Sequence, residues 1–406
     1  MAVTEQTVTL TSETVARIQE ELRAHDVDGW LLYNFKGINA IANDLLGLPA
    51  LTRRYFVWIP AEGRPVVVSH DIEQQPWTGW MGDNWQYSTW RELESRLAQL
   101  LPGNPRVAME YAPGDAVPYI DKVPAGVIEM IRATGATPVT SGDLVSAFYA
   151  RWSDEGVASH HRAARHVYEV AHEAFRRIAS AVREGRGTGE WEVRQWIIGE
   201  FARRGITVGG DAIVAVNANA ANPHYAPSAD HHSQIREGDL VLIDLWGKED
   251  EGAIYADQTW MGYAGTAVPA RLAEIFAAVR DARLAAIDLI RRRWDAGEAI
   301  AGGEADDAAH GVIAERGWGE NFIHRTGHSI DRELHGSGPN IDNRESKDTR
   351  RLIRGVGFSI EPGVYLPGDV GFRSEVNVYM GPNGPEVTTP EPQTEVYALL
   401  SDPRFA

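Results

Sequence analysis

The sequence predicts an α/β domain followed by an α+β domain, and three observations carry that expectation. At 406 residues the chain exceeds the size at which one hydrophobic core keeps growing. Up to about residue 150, short strand-like runs alternate with helical ones, the pattern of an α/β domain. Around Arg151-Trp152-Ser153-Asp154-Glu155-Gly156 long helices take over, so residues 1–152 are expected to form the first domain and residues 153–406 the second.

In the first domain, residues 12–24 have helical spacing, with Val15, Ile18 and Leu22 on one face. Gly29-Trp30-Leu31-Leu32-Tyr33 then reads as a buried strand. Strands follow at 55–59 and 65–69, separated by the turn Ala61-Glu62-Gly63-Arg64, and another at 106–110. Helices are expected at 91–101 and 125–134. Between them, residues 76–90 carry Trp77, Trp80, Trp85 and Trp90 with Gly79 and Gly82, which is neither clean helix nor clean strand. Such a stretch is either a loop that packs its indoles onto its own domain or a lid or subunit contact, since indoles are enriched at interfaces.

The second domain opens with a helical stripe over 157–183, formed by Val167, Val170, Ala171, Ala174, Phe175, Ile178 and Val182 and closed by Gly185 and Gly187. His160, His161, His166 and His172 lie on this helix without carboxylates at ligand spacing, and read as solvated or structural. Thr188 is a candidate cap for a helix over 189–203, with Glu190 and Glu192 near its positive end. A strand at 212–216 leads into a turn-rich loop holding His224. Further helices are expected at 270–293 and 305–315.

Composition bounds the chemistry. A hydrophobic fraction of 43% supports packed cores, and a formal charge of -18 argues against nucleic acid or anionic membrane surfaces as partners. There is no cysteine, so disulfides, thiolate zinc sites and cysteine nucleophiles are excluded, and any metal must use oxygen and imidazole ligands. The N-terminus lacks the pattern of a signal peptide and no run is long enough to span a bilayer, so a cytoplasmic location is expected.

The chemistry gathers around residues 323–342, where His324, His328 and His335 fall within twelve positions. Four strand-like runs each carry one carboxylate among apolar neighbours: Asp244 in 240–246, Asp257 in 252–260, Glu361 in 358–365 and Glu375 in 371–379. A carboxylate in an apolar strand loses its water, which is costly unless a cation or hydrogen bonds replace it. Four such runs beside a histidine cluster point to one shared cation site, and a set of four carboxylates and one imidazole suits divalent cations such as Mn, Co, Fe or Zn.

The order Asp244, Asp257, His328, Glu361, Glu375, with Thr326-Gly327-His328, Ile360-Glu361-Pro362-Gly363 and Arg373-Ser374-Glu375, resembles the creatinase, prolidase, aminopeptidase P and methionine aminopeptidase family of pita-bread metallopeptidases. The resemblance covers the whole chain, because an N-terminal α/β domain is typical of the creatinase, prolidase and aminopeptidase P branch. It implies a creatinase-like α/β domain ahead of a pita-bread catalytic domain, and two divalent metal ions per chain, with manganese the first expectation. Asp257 and Glu375 would bridge the metals, Asp244 would serve one, and His328 and Glu361 the other. The implied reaction is hydrolysis of the peptide bond preceding proline by a metal-bridging hydroxide, with Glu361 as proton shuttle and His224 and His335 contacting substrate. His324 and Arg373 would contact substrate or fix ligand orientation. A small Xaa-Pro peptide is the implied substrate, for a dipeptidase closest to prolidase, and a homodimer the implied assembly. An aminopeptidase acting on longer peptides and a non-peptide hydrolase or lyase on the same scaffold are the alternatives. A catalytically dead binding module is a further reading, but such relatives lose ligands or gain basic extensions, and neither is seen here.

The sequence departs from the family pattern in places. Asp244 and Asp257 are 13 positions apart, 257 - 244 = 13, two more than expected, and an even insertion at the hairpin tip preserves which residues share a face. Leu245-Trp246 replaces small residues, the arginine usual after the second aspartate strand is absent from Asp257-Gln258-Thr259-Trp260, Asp331 replaces a glycine, and Gly336 replaces an acidic residue. These changes are expected to border the substrate pocket.

Overall fold

The computed structural model describes residues 8–207 and 211–406, and the chain divides into two compact units, Met1–Ala150 and Arg151–Ala406. In the first unit a six-stranded sheet runs β4-β3-β2-β1-β5-β6, with β1 Gly29–Asn34, β2 Tyr55–Pro60, β3 Val66–His70, β4 Asp83–Tyr87, β5 Arg106–Met109 and β6 Thr137–Thr140. The strand β1 pairs antiparallel with β2 and parallel with β5. Every residue of β1 is buried because helices cover both faces. Trp30 and Leu32 meet α1 Ser12–Ala24, α2 Ala40–Leu46 and α5 Gly142–Phe148. Leu31 and Tyr33 point the other way, toward α3 Trp90–Leu100 and α4 Ala125–Ala133.

The tryptophan-rich stretch resolves into a short 3-10 turn at Gln75–Trp77, the strand β4 and the start of α3. Trp77 is buried against Tyr55, Trp80 and Trp85 are half-buried, and only Trp90 stands out in solvent, with the Arg91 guanidinium over its ring. The stretch is therefore mostly packed onto its own unit, and it presents no cluster of exposed indoles.

The second unit begins with α6 Asp154–Arg183, whose N-terminus Ser153 caps through its side chain, and α7 Glu190–Arg203. Their apolar faces cover one side of the sheet β16-β9-β8-β7, made of β7 Ile213–Val216, β8 Leu240–Gly247, β9 Ala256–Tyr263 and β16 Tyr397–Ala398. On α8 Ala270–Asp295 and α9 Gly302–Glu315, apolar residues pack with the sheet β10-β11-β14-β15 and the hairpin β12-β13. These strands are β10 Ser329–Ile330, β11 Gly357–Ile360, β12 Gly363–Leu366, β13 Val370–Arg373, β14 Val376–Gly381 and β15 Gly384–Val387.

Several local expectations change. Thr188 does not cap α7: the cap residue is Gly189, which lacks a side chain to accept the bond. The run 252–260 becomes strand only from Ala256, because residues 250–253 close a turn in which Asp250 accepts from the Gly252 and Ala253 amides. Glu361 and Glu375 do not lie inside strands. Pro362 cannot donate to a ladder, so one run splits into β11 and β12 around Glu361, and Glu375 sits in the break between β13 and β14. Of the helix α6 histidines, His160 is a buried anchor between the Tyr255 carbonyl and the Thr388 hydroxyl, both at 2.6 Å.

Candidate metal centre

The hairpin β8-β9 builds one wall of the site. Its register pairs Asp244 with Thr259 and Trp246 with Asp257, so side-chain alternation puts these four residues on one face. The two carboxylates, 13 positions apart, share a face. The opposite face carries Leu245, Gln258 and Trp260 into the core beneath α6. There Gln258 donates to the Ala164 carbonyl and the Trp260 indole donates to Gln258. Leu245 and Trp260 therefore do not border the pocket as expected: strand alternation turns both away from the site, and Trp246 alone of these substitutions faces it.

The motif Thr326-Gly327-His328 meets β11 at close quarters. A Cβ at Gly327 would overlap the Ser359 carbonyl, and its absence lets the backbone close in, so that the His328 amide donates to Ser359 Oγ at 3.0 Å and the Glu361 amide to the Thr326 carbonyl at 2.7 Å. His328 Nδ1 lies 3.1 Å from the Ser329 carbonyl, which accepts its proton. Its Nε2 is thereby left with a lone pair facing Glu361 Oε1 at 3.3 Å and Asp257 Oδ2 at 3.6 Å, the form in which histidine binds metal. Ligand atoms of Asp257, His328 and Glu375 all lie within 4.8 Å of one another.

A second tier links the carboxylates. Arg373 Nη2 donates to Asp244 Oδ2 at 2.5 Å, its Nε to Thr259 Oγ1 at 3.1 Å and its Nη1 to the Tyr365 hydroxyl at 3.3 Å. Thr259 in turn donates to Glu375 Oε2 at 2.8 Å, and the Tyr365 hydroxyl pairs with His324 Nε2 at 2.8 Å. Arg373 and His324 are thus engaged within the cluster. Thr259, Ser359 and Tyr365 were not singled out in the sequence, where a lone hydroxyl carries no signal; the clue available was their position within two residues of Asp257, Glu361 and Gly363.

Burial sets the electrostatics. It pushes the Asp244 carboxyl up to about 7, against the pull of Arg373, and raises Asp257 and Glu375 well above the carboxylate range, with further repulsion from Glu361. Burial acts on Glu361 too, but His328, Arg373, His324 and Arg325 outweigh it and hold that carboxyl below its ordinary value. Burial also lowers His328 below its usual value, against the pull of Glu361.

Whether these residues fit a cation is answered by their spare oxygens. Asp244 Oδ1, Asp257 Oδ1 and Glu375 Oε1 are buried and receive no hydrogen bond among the described residues. An unpartnered buried polar atom costs about 1–3 kcal/mol, and ligand atoms of Asp257 and Glu375 gathered with the His328 imidazole match the needs of divalent cations. The donor set fits.

His335 stands edge-on over His328, ring centres 4.4 Å apart. Although more than a third of His335 is open to solvent, partial burial and the neighbouring His328 and Arg325 hold it below its ordinary value. His224 is exposed and lies close enough to His335 to act on its charge. Its loop is fastened by Glu190, which sequence reasoning placed at a helix end as a simple charge. Glu190 is instead fully buried and accepts from the Val216 and Ser233 amides at 2.7 and 2.6 Å, the Tyr225 hydroxyl at 2.7 Å and the Asn219 amide. The departures Asp331 and Gly336 explain each other: the Asp331 carboxylate accepts from the Glu333 and Ser337 amides, and a Cβ at position 336 would come within 2.6 Å of it.

The metal-ligand cluster and the fold together define a pita-bread metallopeptidase, and the chain belongs to metallopeptidase family M24, whose model matches residues 162–382. Among curated proteins it is 39% identical over 165 residues to an Xaa-Pro dipeptidase of Lactobacillus delbrueckii subsp. lactis, covering 41% of this chain and 40% of the relative. It is 33% identical over 172 residues to a probable dipeptidase PepE of Mycobacterium bovis, covering 42% of each. The matched stretch thus spans about two fifths of these relatives. Among solved structures, dipeptidase PepE from Mycobacterium ulcerans superposes with a TM-score of 0.69 at 21% identity, covering 96% of this chain and 98% of the other. An Xaa-Pro dipeptidase from Bacillus anthracis gives 0.62 at 24% identity, covering 95% and 99%. These likenesses establish the fold. The family implies divalent metals. Among the described residues no helix is long and apolar enough to cross a membrane.

Proposed function

We propose that this chain is a dinuclear metallopeptidase that hydrolyses the peptide bond preceding proline, acting on dipeptides. The observation that carries the reading is the set of Asp244, Asp257, His328, Glu361 and Glu375, all but the half-buried Glu361 buried, three of whose oxygens have no hydrogen-bond donor among the described residues. The likeness to a protein named Xaa-Pro dipeptidase supports the substrate class.

Asp244, Asp257, His328, Glu361 and Glu375 would hold the two cations, with manganese the first candidate. When bound, such cations supply Lewis acidity toward the scissile carbonyl and toward water. Glu361, ionised because the surrounding cationic groups favour its charge, takes a proton from the attacking water and passes it to the leaving nitrogen. His335 and His224, on the open side, donate hydrogen bonds to the substrate and its developing oxyanion. Arg373 and His324 orient Asp244, Thr259 and Tyr365. An Xaa-Pro bond has no N–H, so a site for it needs no acceptor there. The loop beyond His335 is held by Asp331 and by Arg350, whose Nη1 donates to the Ser337 carbonyl at 2.6 Å, and a fixed loop of this kind limits substrate length.

The test is a hydrolysis panel on metal-reconstituted protein: Xaa-Pro dipeptides, Xaa-Pro tripeptides and matched Xaa-Ala peptides. Xaa-Pro dipeptides are expected to be cut fastest. Equal rates on Xaa-Pro and Xaa-Ala would defeat the proline assignment, and faster cleavage of tripeptides would turn the reading to an aminopeptidase. The assembly is proposed to be a homodimer, for which light scattering should return twice the 44.7 kDa chain mass.

A further inference from the structure

On the inner face of the hairpin β8-β9, Asp244 and Trp246 stand opposite Thr259 and Asp257, and just past the paired strands come Lys248 and Tyr255. At one end Asp244, Asp257 and Thr259 are buried in the carboxylate cluster. The other end is fastened to the loop that carries His335. Lys248, also buried, donates from Nζ to the Arg332 carbonyl at 2.5 Å and lies over the Tyr255 ring, and the Tyr255 amide donates to the Asp331 carbonyl at 3.1 Å.

Trp246 occupies the position between these two ends, directly across from Asp257. Its neighbours Asp244 and Lys248 are buried, whereas the indole is only half-buried. An aromatic ring left half open beside converging metal ligands, and with polar groups on both sides, is a surface available to whatever reaches those ligands. Its chemistry is flat and apolar, and rings or apolar side chains are what it recognises.

We propose that Trp246 is a specificity-determining wall of the substrate site, packing against an apolar ring or side chain of the peptide next to the scissile bond. This rests on the peptidase reading above and names the substrate feature that the site selects. Peptides with a ring or large apolar group at that position are favoured over those with glycine.

The test compares wild type with Trp246→Ala and Trp246→Phe, each reconstituted with manganese and checked for metal content and thermal transition. Two ratios of kcat/KM are read, Phe-Pro over Gly-Pro and Ala-Pro over Ala-Ala. One of them is expected to fall about tenfold in Trp246→Ala, the scale of a lost pocket contact, and to recover most of that in Trp246→Phe. Which ratio falls locates the ring on one side of the scissile bond. Calorimetric binding of free phenylalanine, proline and glycine supplies a measure independent of turnover and of the peptidase reading. Trp246-dependent binding of phenylalanine or proline without hydrolysis of any Xaa-Pro peptide would remove that reading and leave the wall standing. Both ratios within twofold of wild type in the folded variants would overturn the wall while leaving the peptidase intact. If Trp246→Ala does not fold, Trp246→Phe and Trp246→Leu carry the comparison: a higher ratio in the phenylalanine variant supports the wall, and equal ratios overturn it.

Discussion

Two buried acidic sites, one in each unit, show what separates a structural carboxylate from a candidate cation ligand. Glu110 follows β5 and is fully buried, and burial raises its carboxyl above the ordinary value. Its oxygens are nevertheless met by neutral donors of its own fold: the Trp30 indole at 2.6 Å, the Ser141 hydroxyl at 3.0 Å and the Asn39 amide at 2.7 Å. Asp244, Asp257 and Glu375 of the second unit are also buried, yet each keeps an oxygen that nothing among the described residues donates to. Burial alone does not single out a candidate ligand; an oxygen without a donor beside other ligand atoms does.

The largest effect expected from this contrast is on activity. Asp257→Ala or Glu375→Ala should reduce hydrolysis to background and lower the bound metal measured by mass spectrometry, while circular dichroism stays native. Glu110→Leu should do the reverse. It strands three buried donors and costs roughly 3 kcal/mol of stability, read as an earlier urea midpoint, and leaves the metal content as it was. A variant at Glu110 that lost metal but kept its stability would break the distinction between the two sites.

Arg373→Lys is a smaller perturbation. Lysine cannot reach Asp244, Thr259 and Tyr365 at once, and disturbing a group that orients ligands typically costs about 10–100-fold in metal affinity or activity. A metal titration would measure it.

The smallest effect is a pH slope. In metal-depleted protein the Glu375 carboxyl is raised in the folded state, so its contribution to stability is complete below about pH 4, the unfolded value, and is lost as pH rises toward the folded value. Glu375→Gln cannot ionise. The Tm of this variant minus that of the wild type, both chelated, should therefore grow as pH is raised from 4 to 8. With metal bound to the wild type the carboxylate is held ionised and the difference should reverse sign. A flat difference in the chelated pair would mean that Glu375 already has a partner in solution.

The sequence by itself determined the two-part architecture and the five candidate ligands. The unbroken apolar run of β1 and the apolar stripe of α6 are local patterns, the mark of a strand covered on both faces and of helix periodicity, and a carboxylate among apolar neighbours announces its own need for compensation. The even insertion between Asp244 and Asp257 likewise preserved their common face, because strand alternation is counted in twos. Tertiary structure decided what each neighbour does. Leu245, Trp246 and Trp260 look alike as bulky substitutions around the aspartates, yet the cross-strand register sends two of them under α6 and leaves Trp246 beside the ligands. Glu190 reads as a charge at a helix start until the segments holding Val216, Asn219, Tyr225 and Ser233 converge on it. The Thr259 hydroxyl becomes the link between Arg373 and Glu375 only when two strands more than a hundred residues apart are brought together. Ligand identity is a property of the side chain and can be read in place, whereas a hydrogen-bond partner is a property of the distance between segments, which only the folded chain sets.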